Sequence, residues 1–179
     1  MRTELFLKWR NLFLMDTINR IVNEYLDYLK FQKNYSSLTI ESYQRDIDEF
    51  VVYFIKEGIE SFDEIKYQFL RGYLIYLHEN ELSPVTINHK LTSLRSFYRY
   101  LQKEEYVKDN PFLMVKSLKT QQKNPDVLFI DEMIELLDSI DVTTPLGRRN
   151  KAMLELMYAS GLRCSEVVSL TIKQVDFKA

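Results

Sequence analysis

Cysteine, histidine, glycine and proline are all scarce in this 179-residue sequence. A single cysteine excludes an internal disulfide framework, and two isolated histidines with one cysteine offer no metal-ligand spacing. Only four glycines and four prolines interrupt a chain rich in leucine, isoleucine, tyrosine, phenylalanine, lysine and glutamate, which favours helices. We therefore predict a mainly α fold without a metal site, located in the reducing cytoplasm.

A long uninterrupted apolar run is also missing. Residues 1–14, MRTELFLKWRNLFL, are largely apolar, but Glu4, Lys8 and Arg10 interrupt them, so they fit neither a signal peptide nor a transmembrane helix. They could form a docking helix, contact a partner, or be a leader that precedes a start at Met15. We favour the leader and treat residues 1–15 as an N-terminal extension.

Charge is unevenly distributed along the sequence. The net charge of −2 and the pI near 5.8 argue, taken alone, against a nucleic-acid partner. Between Leu82 and Lys123, however, there are eight basic residues and three acidic ones, a local charge of +5, whereas residues 41–64 carry eight acidic residues and two basic ones. Such separation can place a basic stripe on one surface of the fold.

Apolar residues recur with helical spacing in four successive segments. The first helix is predicted to begin with Asp16 as its N-cap and to stop near Asn34, and the second to run from Ser36 to Gly58. A third is predicted over residues 66–78. The fourth starts with Ser83 as N-cap and a proline at its first position. Its predicted core positions are Ile87, Leu91, Leu94, Phe97, Tyr98 and Leu101.

The opposite face of the fourth predicted helix is polar and basic, with no acidic residue before Glu104. Such a surface suits phosphate contacts and hydrogen bonds to base edges in a DNA major groove, which an α-helix fits. A merely solvated face is the alternative interpretation. The candidate DNA-binding residues are Thr86, Asn88, His89, Thr92, Ser93, Arg95, Ser96, Arg99 and Lys103.

A second helical region follows a polar, basic stretch. Asn110-Pro111 ends the first region, and residues 115–126 (VKSLKTQQKNPD) show poor periodicity and are predicted to form a linker. A short helix is predicted over residues 131–140, and a longer one from Thr144-Pro145 to Gly161. The segment 171–177 is predicted to be a turn that runs into a strand.

Gly161 marks a corner between two predicted helices, because glycine tolerates the left-handed conformation that closes a helix. Arg163 lies at this corner, and Ser165 and Glu166 fall in the first turn of the next helix. An arginine beside a helix N-terminus suits a phosphate and can be held rigidly so that it points into a cleft. The ordinary alternative is a surface cation that pairs with a local carboxylate.

Two segments carry a family resemblance. The run Ala159-Ser160-Gly161-Leu162-Arg163-Cys164-Ser165-Glu166-Val167 resembles the A-T/S-G-L-R-x-S-E-L/V segment of tyrosine recombinases, the site-specific integrase and Xer-type family. The stretch from Ser83 to Leu101 resembles the last helix of that family's core-binding domain, in the expected order. The resemblance implies a four-helix SAM-like core-binding domain over residues 16–113, a basic linker over 114–126, and the N-terminal, mostly helical part of a catalytic domain over 127–179.

The resemblance also implies a chemistry. In this family a tyrosine hydroxyl attacks the scissile DNA phosphate to give a 3′-phosphotyrosyl intermediate, assisted by two arginines, a lysine and a histidine or tryptophan, without metal or nucleotide cofactor. Here Arg163 matches the first arginine and Glu166 the accessory acidic position. The family's lysine, second arginine and tyrosine lie downstream of these matches. We therefore expect a chain that binds DNA but is inactive alone.

The expected partners are double-stranded DNA and, as in the family, other recombinase protomers in a tetramer on DNA, with no membrane. The absence of an arm-binding segment before Asp16 favours the Xer-like group. Two other functions remain open: a non-catalytic DNA-binding regulator, and a helical protein-interaction module without DNA affinity. Steep salt dependence of DNA binding would exclude the second of these.

Overall fold

The computed structural model describes residues 2–120 and 127–175, with side chains described from residue 14 onward. Within these residues the chain contains seven α-helices, short 3-10 and π-helical turns, and no strand. It divides into two compact units, unit 1 (Met1–Gln121) and unit 2 (Gln122–Ala179). The predicted mainly α fold is confirmed.

Unit 1 contains four α-helices: α1 (Arg2–Asp27), α2 (Ser37–Lys56), α3 (Tyr67–Glu79) and α4 (Pro84–Lys103). A π-helical turn (Tyr28–Gln32) extends α1, and 3-10 turns lie at Phe62–Glu64 and Pro111–Met114. The Ser36 hydroxyl accepts the Thr39 N–H at 3.3 Å, and the Ser83 hydroxyl accepts the Thr86 N–H at 3.1 Å. Both serines therefore cap helices as predicted.

The first helix starts much earlier than predicted. α1 begins at Arg2 and continues through Asp16, so the proposed N-cap at Asp16 and the helix boundary after residue 15 are wrong. Residues 2–15 contain no glycine or proline, and their leucines, lysine and arginines are good helix formers, so nothing in them stops the helix. The predicted end is confirmed, because Asn34 follows the π-helical turn in a left-handed conformation with φ of 53°.

Aromatic side chains fill the core of unit 1. Phe50 on α2 lies 5.4 Å from Phe112 and 5.0 Å from Tyr73, measured between ring centroids. Tyr98 on α4 lies 4.9 Å from Phe112 in the same cluster. All six predicted core positions of α4 are at most 2% exposed, which confirms the rotation of this helix inferred from its periodicity.

Unit 2 contains α5 (Ile130–Asp138), α6 (Pro145–Ser160), α7 (Cys164–Ser169) and a 3-10 turn (Ile172–Gln174). The Thr144 hydroxyl caps α6 by accepting the Gly147 N–H at 3.0 Å. Many of its apolar side chains are exposed, including Phe129 at 78% and Ile172 at 83%. Unit 2 therefore buries less of its apolar surface within itself than unit 1 does. The predicted turn is present at Ile172–Gln174, whereas the predicted strand at residues 176–177 lies outside the described residues.

Two buried tyrosines of unit 1 form a matched pair for a stability test. The Tyr98 hydroxyl donates to the Phe62 carbonyl at 3.1 Å, whereas the Tyr73 hydroxyl has no hydrogen-bond partner among the described residues. We predict that Tyr98→Phe lowers the free energy of unfolding by about 1 kcal/mol, because the Phe62 carbonyl loses this hydrogen bond and keeps only the longer one from the Ile65 N–H at 3.4 Å. Tyr73→Phe should be neutral or stabilising, since it removes a hydroxyl that is buried without a partner. Urea unfolding measures both, and an equal loss in the two variants would contradict this difference.

Candidate nucleic-acid interface and catalytic corner

The structure divides the nine polar candidates on α4 into groups with different surroundings. Five of them are exposed: Thr86, His89, Thr92, Arg99 and Lys103. Asn88, Arg95 and Ser96 are partly buried, and Ser93 is fully buried. The helix therefore has a narrower free polar face than its periodicity predicts.

A buried carboxylate on α2 accounts for part of this difference. Asp46, only 5% exposed, accepts a hydrogen bond from the Ser93 hydroxyl at 2.7 Å and from the Lys90 ammonium at 3.1 Å. The prediction that Ser93 belongs to the free polar face is wrong, because this side chain points into the contact between α2 and α4. A buried charge needs such partners to offset its loss of hydration.

Lys90 is a further basic residue of α4, but the structure buries its side chain. Its side chain is 7% exposed and its ammonium also pairs with Glu49. Burial acts to lower the pKa of Lys90, but hydrogen bonds from its ammonium to Glu49 and Asp46 outweigh burial and raise the pKa above its ordinary value. Its charge is therefore compensated by two carboxylates of unit 1, Asp46 and Glu49. The sequence contains a signal for this, since Lys90 falls three residues after Ile87, on the core side of the helix.

His89 contacts the same carboxylate from the exposed side. Its Nδ1 lies 2.9 Å from Asp46 Oδ2, while 52% of its side chain remains exposed. The ring also meets Tyr43 edge-on, with 6.3 Å between centroids. Asp46 thus engages one ring nitrogen and leaves Nε2 for an external partner.

Asn88 and Arg95 hold the chain segment that leaves unit 1. Asn88 donates to the Leu118 carbonyl at 2.9 Å and accepts the Leu118 N–H at 2.7 Å. Arg95 donates to the Phe112 carbonyl at 3.2 Å and to the Val115 carbonyl at 2.5 Å. We name residues 112–118 the exit segment. Its residues 114–118 overlap the start of the linker predicted over residues 114–126, and this part is fixed to α4. Residues 121–126 of that linker lie outside the described residues.

The C-terminal half of α4 carries two exposed cations, Arg99 and Lys103. Arg99 is exposed and has no carboxylate partner in the part of the chain that the structure describes. The Lys103 ammonium pairs with the neighbouring Glu104 at 3.1 Å. Ser96 accepts a hydrogen bond from the Tyr25 hydroxyl at 2.9 Å.

The predicted corner in unit 2 is present. Gly161 ends α6 with a φ of 67°, a left-handed value that favours glycine, and donates its N–H to the Met157 carbonyl at 2.9 Å. Arg163 then occupies the N-cap position of α7, and Glu166 lies in its first turn. The local geometry of the motif is therefore as predicted.

Glu166 holds Arg163 through two contacts. One carboxylate oxygen accepts the Arg163 backbone N–H at 2.6 Å, and the other lies 3.2 Å from the guanidinium Nη1. The Arg163 side chain is 83% exposed, so the described residues do not enclose it in the cleft that we expected. Its remaining N–H groups are available to an external anion.

Two negative findings limit the chemistry within the described residues. No group of three or more histidine, cysteine, aspartate or glutamate side chains there could hold a metal ion. Among the same residues, no helix combines the length and the apolar character needed to cross a membrane.

Comparisons with known proteins agree with both motifs. The family described as "Phage integrase, N-terminal SAM-like domain" matches residues 22–105, and the "Phage integrase family" matches residues 126–179. The tyrosine recombinase XerC of Bacillus pumilus is 44% identical over 90% of this chain and 53% of its own length. The chain belongs to the phage integrase family of tyrosine recombinases.

Other relatives extend this assignment. XerC of Bacillus subtilis is 40% identical over 90% of this chain and 53% of its own length. This chain thus spans about half the length of the curated relatives it matches. The Tn1549 transposon integrase, solved in complex with a circular intermediate DNA, matches with a TM-score of 0.64 and 20% identity over 88% of this chain and 49% of that one. This likeness shows a shared fold.

The contacts of Asn88 and Arg95 with the exit segment can be tested by mutation. We expect Asn88→Ala to speed hydrogen exchange at the Leu118 amide, because that amide loses its acceptor. Arg95→Ala should increase proteolysis between residues 112 and 118, since it removes the donors to two carbonyls there.

Arg99→Ala is the matched control, because Arg99 lies one turn beyond Arg95 on α4 and is exposed. It should change neither measurement. If Arg95→Ala and Arg99→Ala gave the same proteolysis pattern, the fixation of the exit segment by Arg95 would be contradicted.

Proposed function

We propose that this chain serves site-specific DNA recombination, with unit 1 binding duplex DNA and unit 2 supplying Arg163 and Glu166 to a tyrosine recombinase site. The observation that carries the proposal is the match of both family descriptions, in order, across the two units. The motif at the corner between α6 and α7 lies within the second match. Unit 1 corresponds in this proposal to the core-binding domain, and unit 2 to the first part of a catalytic domain.

The DNA interface that we propose is the exposed face of α4. Thr92 and His89 offer hydrogen-bonding groups for base edges, and Arg99 and Lys103 offer charge for phosphates. Thr86 lies on the first turn of the same helix. Asn88 and Arg95 are assigned to the exit segment instead, because their hydrogen-bonding groups already have partners within unit 1. The DNA-bound state of the Tn1549 integrase, which shares the fold, supports this partner.

The chemistry that we propose for Arg163 is charge stabilisation of a phosphoryl transition state. Its guanidinium can donate two parallel N–H groups to two non-bridging oxygens, while Glu166 keeps the Nη1 edge oriented. The nucleophilic tyrosine and the other assisting residues are those that the family places downstream of this motif. Assembly with further recombinase protomers on DNA belongs to the same proposal.

DNA binding is tested by measuring duplex affinity at several salt concentrations. We expect the affinity to fall steeply with salt, because phosphate contacts release counterions. Arg99→Ala should lower the slope of log affinity against log salt by about 1. Arg71→Ala, an identical change at an exposed position on α3, should leave the slope unchanged. Absent or salt-insensitive binding would contradict the proposal and favour the protein-interaction module.

The role of Arg163 is tested in a chain extended by the C-terminal half of the Bacillus pumilus relative. Such a chain should form a covalent adduct on a nicked DNA substrate, and Arg163→Ala should slow its formation by about 10²–10³-fold. Arg163→Lys should also be slow, because an ammonium cannot reproduce the planar two-pronged contact. Arg149→Ala on α6 is the control and should leave the rate unchanged.

Three outcomes would contradict this assignment. If Arg163→Ala left the rate of adduct formation unchanged, Arg163 would be an ordinary surface cation. An adduct formed by residues 1–179 alone would mean that one of their own tyrosines is the nucleophile. DNA binding without any adduct in the extended chain would favour the non-catalytic regulator.

A further inference from the structure

A cleft in unit 1 combines the end of α4 with the turn that follows α1. It has a volume of about 360 Å³ and lies between the π-helical turn and the C-terminal half of α4. Lys33, Arg99 and Lys103 line it together with Ser96 and the rings of Tyr28 and Tyr100. Lys33 lies more than sixty residues before Arg99 in the sequence, so no local pattern connects them.

The charged residues that line this cleft have one sign. Three of its lining residues are cations and none is a carboxylate. Tyr28 and Tyr100 also line a second cleft, which contains Glu24, Asp27 and Glu104 instead. The two tyrosines therefore form a shared wall between a basic cleft and an acidic one, and basic side chains are concentrated on one side of this wall in a chain whose net charge is negative.

Tyr28 helps to hold two of the cations close together. The Lys33 ammonium lies 5.7 Å and the Lys103 ammonium 5.1 Å from the centroid of this one ring. Cation–π attraction offsets part of the repulsion between them, and Glu104 pairs with the Lys103 ammonium at 3.1 Å. Within the described residues Arg99 and Lys33 have no carboxylate partner. The charges of Lys33 and Arg99 therefore favour an anionic ligand in this cleft.

Ser96 adds a hydrogen-bond donor to the cleft. Its oxygen accepts the hydrogen of the Tyr25 hydroxyl at 2.9 Å, so its own hydrogen remains available to a ligand. Burial, reinforced by Glu104 and Glu24, raises the pKa of Tyr100 to about 12, and its hydroxyl therefore adds no negative charge at neutral pH. A ligand with several acceptor oxygens and a negative charge fits these groups.

We propose that this cleft binds a backbone phosphate of duplex DNA and that Lys33 is one of its contacts. The inference rests on the proposed function, because Arg99 and Lys103 belong both to the cleft and to the α4 face assigned to DNA. A phosphate bound here would fix the position of the duplex relative to the C-terminal half of α4. This contact is independent of base sequence, so it sets register rather than specificity.

The experiment compares Lys33→Ala with Lys30→Ala in duplex binding measured over a range of salt concentrations. Both changes remove one exposed lysine from the same turn region, but Lys30 does not line the cleft. We expect Lys33→Ala to weaken binding at low salt and to lower the salt slope by about 1. Lys30→Ala should leave the slope at its wild-type value. Lys33→Glu should weaken binding further, because it places a carboxylate beside Arg99.

The outcomes separate this inference from the function on which it rests. If the wild-type chain binds no DNA, the proposed function fails and the cleft loses its proposed ligand. If the wild type binds with a steep salt slope but Lys33→Ala and Lys30→Ala behave alike, only the cleft assignment is overturned. Circular dichroism and thermal unfolding of each variant show whether it is folded, and binding is compared only among folded variants.

Discussion

Asp46 sets the rotation of α4, and the arrangement of the proposed DNA interface follows from it. This carboxylate is buried between α2 and α4, where an unpaired charge would be costly, and it gathers Lys90, Ser93 and His89 around itself. Because three side chains on two successive turns of α4 contribute to satisfying it, the helix cannot rotate without leaving the charge unpaired. Arg99 and Lys103 are then directed away from the core.

The same rotation determines how the chain leaves unit 1. Asn88 and Arg95 lie on the flank of α4, where they meet the exit segment and provide hydrogen-bond partners for its backbone groups. The polar surface of α4 therefore has three uses: a buried edge that joins α2, a flank that fixes the exit segment, and a free face. Only the free face and the adjoining basic cleft are open to a nucleic acid.

Unit 2 relies on backbone geometry more than on burial. Its functional corner is formed by the left-handed Gly161 and by the Glu166 carboxylate, which caps the start of α7 and contacts the Arg163 guanidinium. These are short-range constraints that operate within a few residues. They place an arginine with free donors at the surface, while much of the apolar surface around it stays exposed.

The sequence by itself determined the helical class, the caps at Ser36 and Ser83, the core positions of α4 and the corner around Gly161, because each depends on contacts within one or two helical turns. Its family motifs also identified the family. The predicted start of α1 at Asp16 is wrong because residues 2–15, which precede it, are also good helix formers. Only the tertiary structure decided which polar residues of α4 are free. Ser93 is not free, because it donates to Asp46, 47 residues earlier in the sequence. Asn88 is not free, because it pairs with the backbone of Leu118, 30 residues later. Lys33 joins Arg99 in one cleft because α1 and α4 pack together. Such pairings arise when helices dock, and helical periodicity does not encode them.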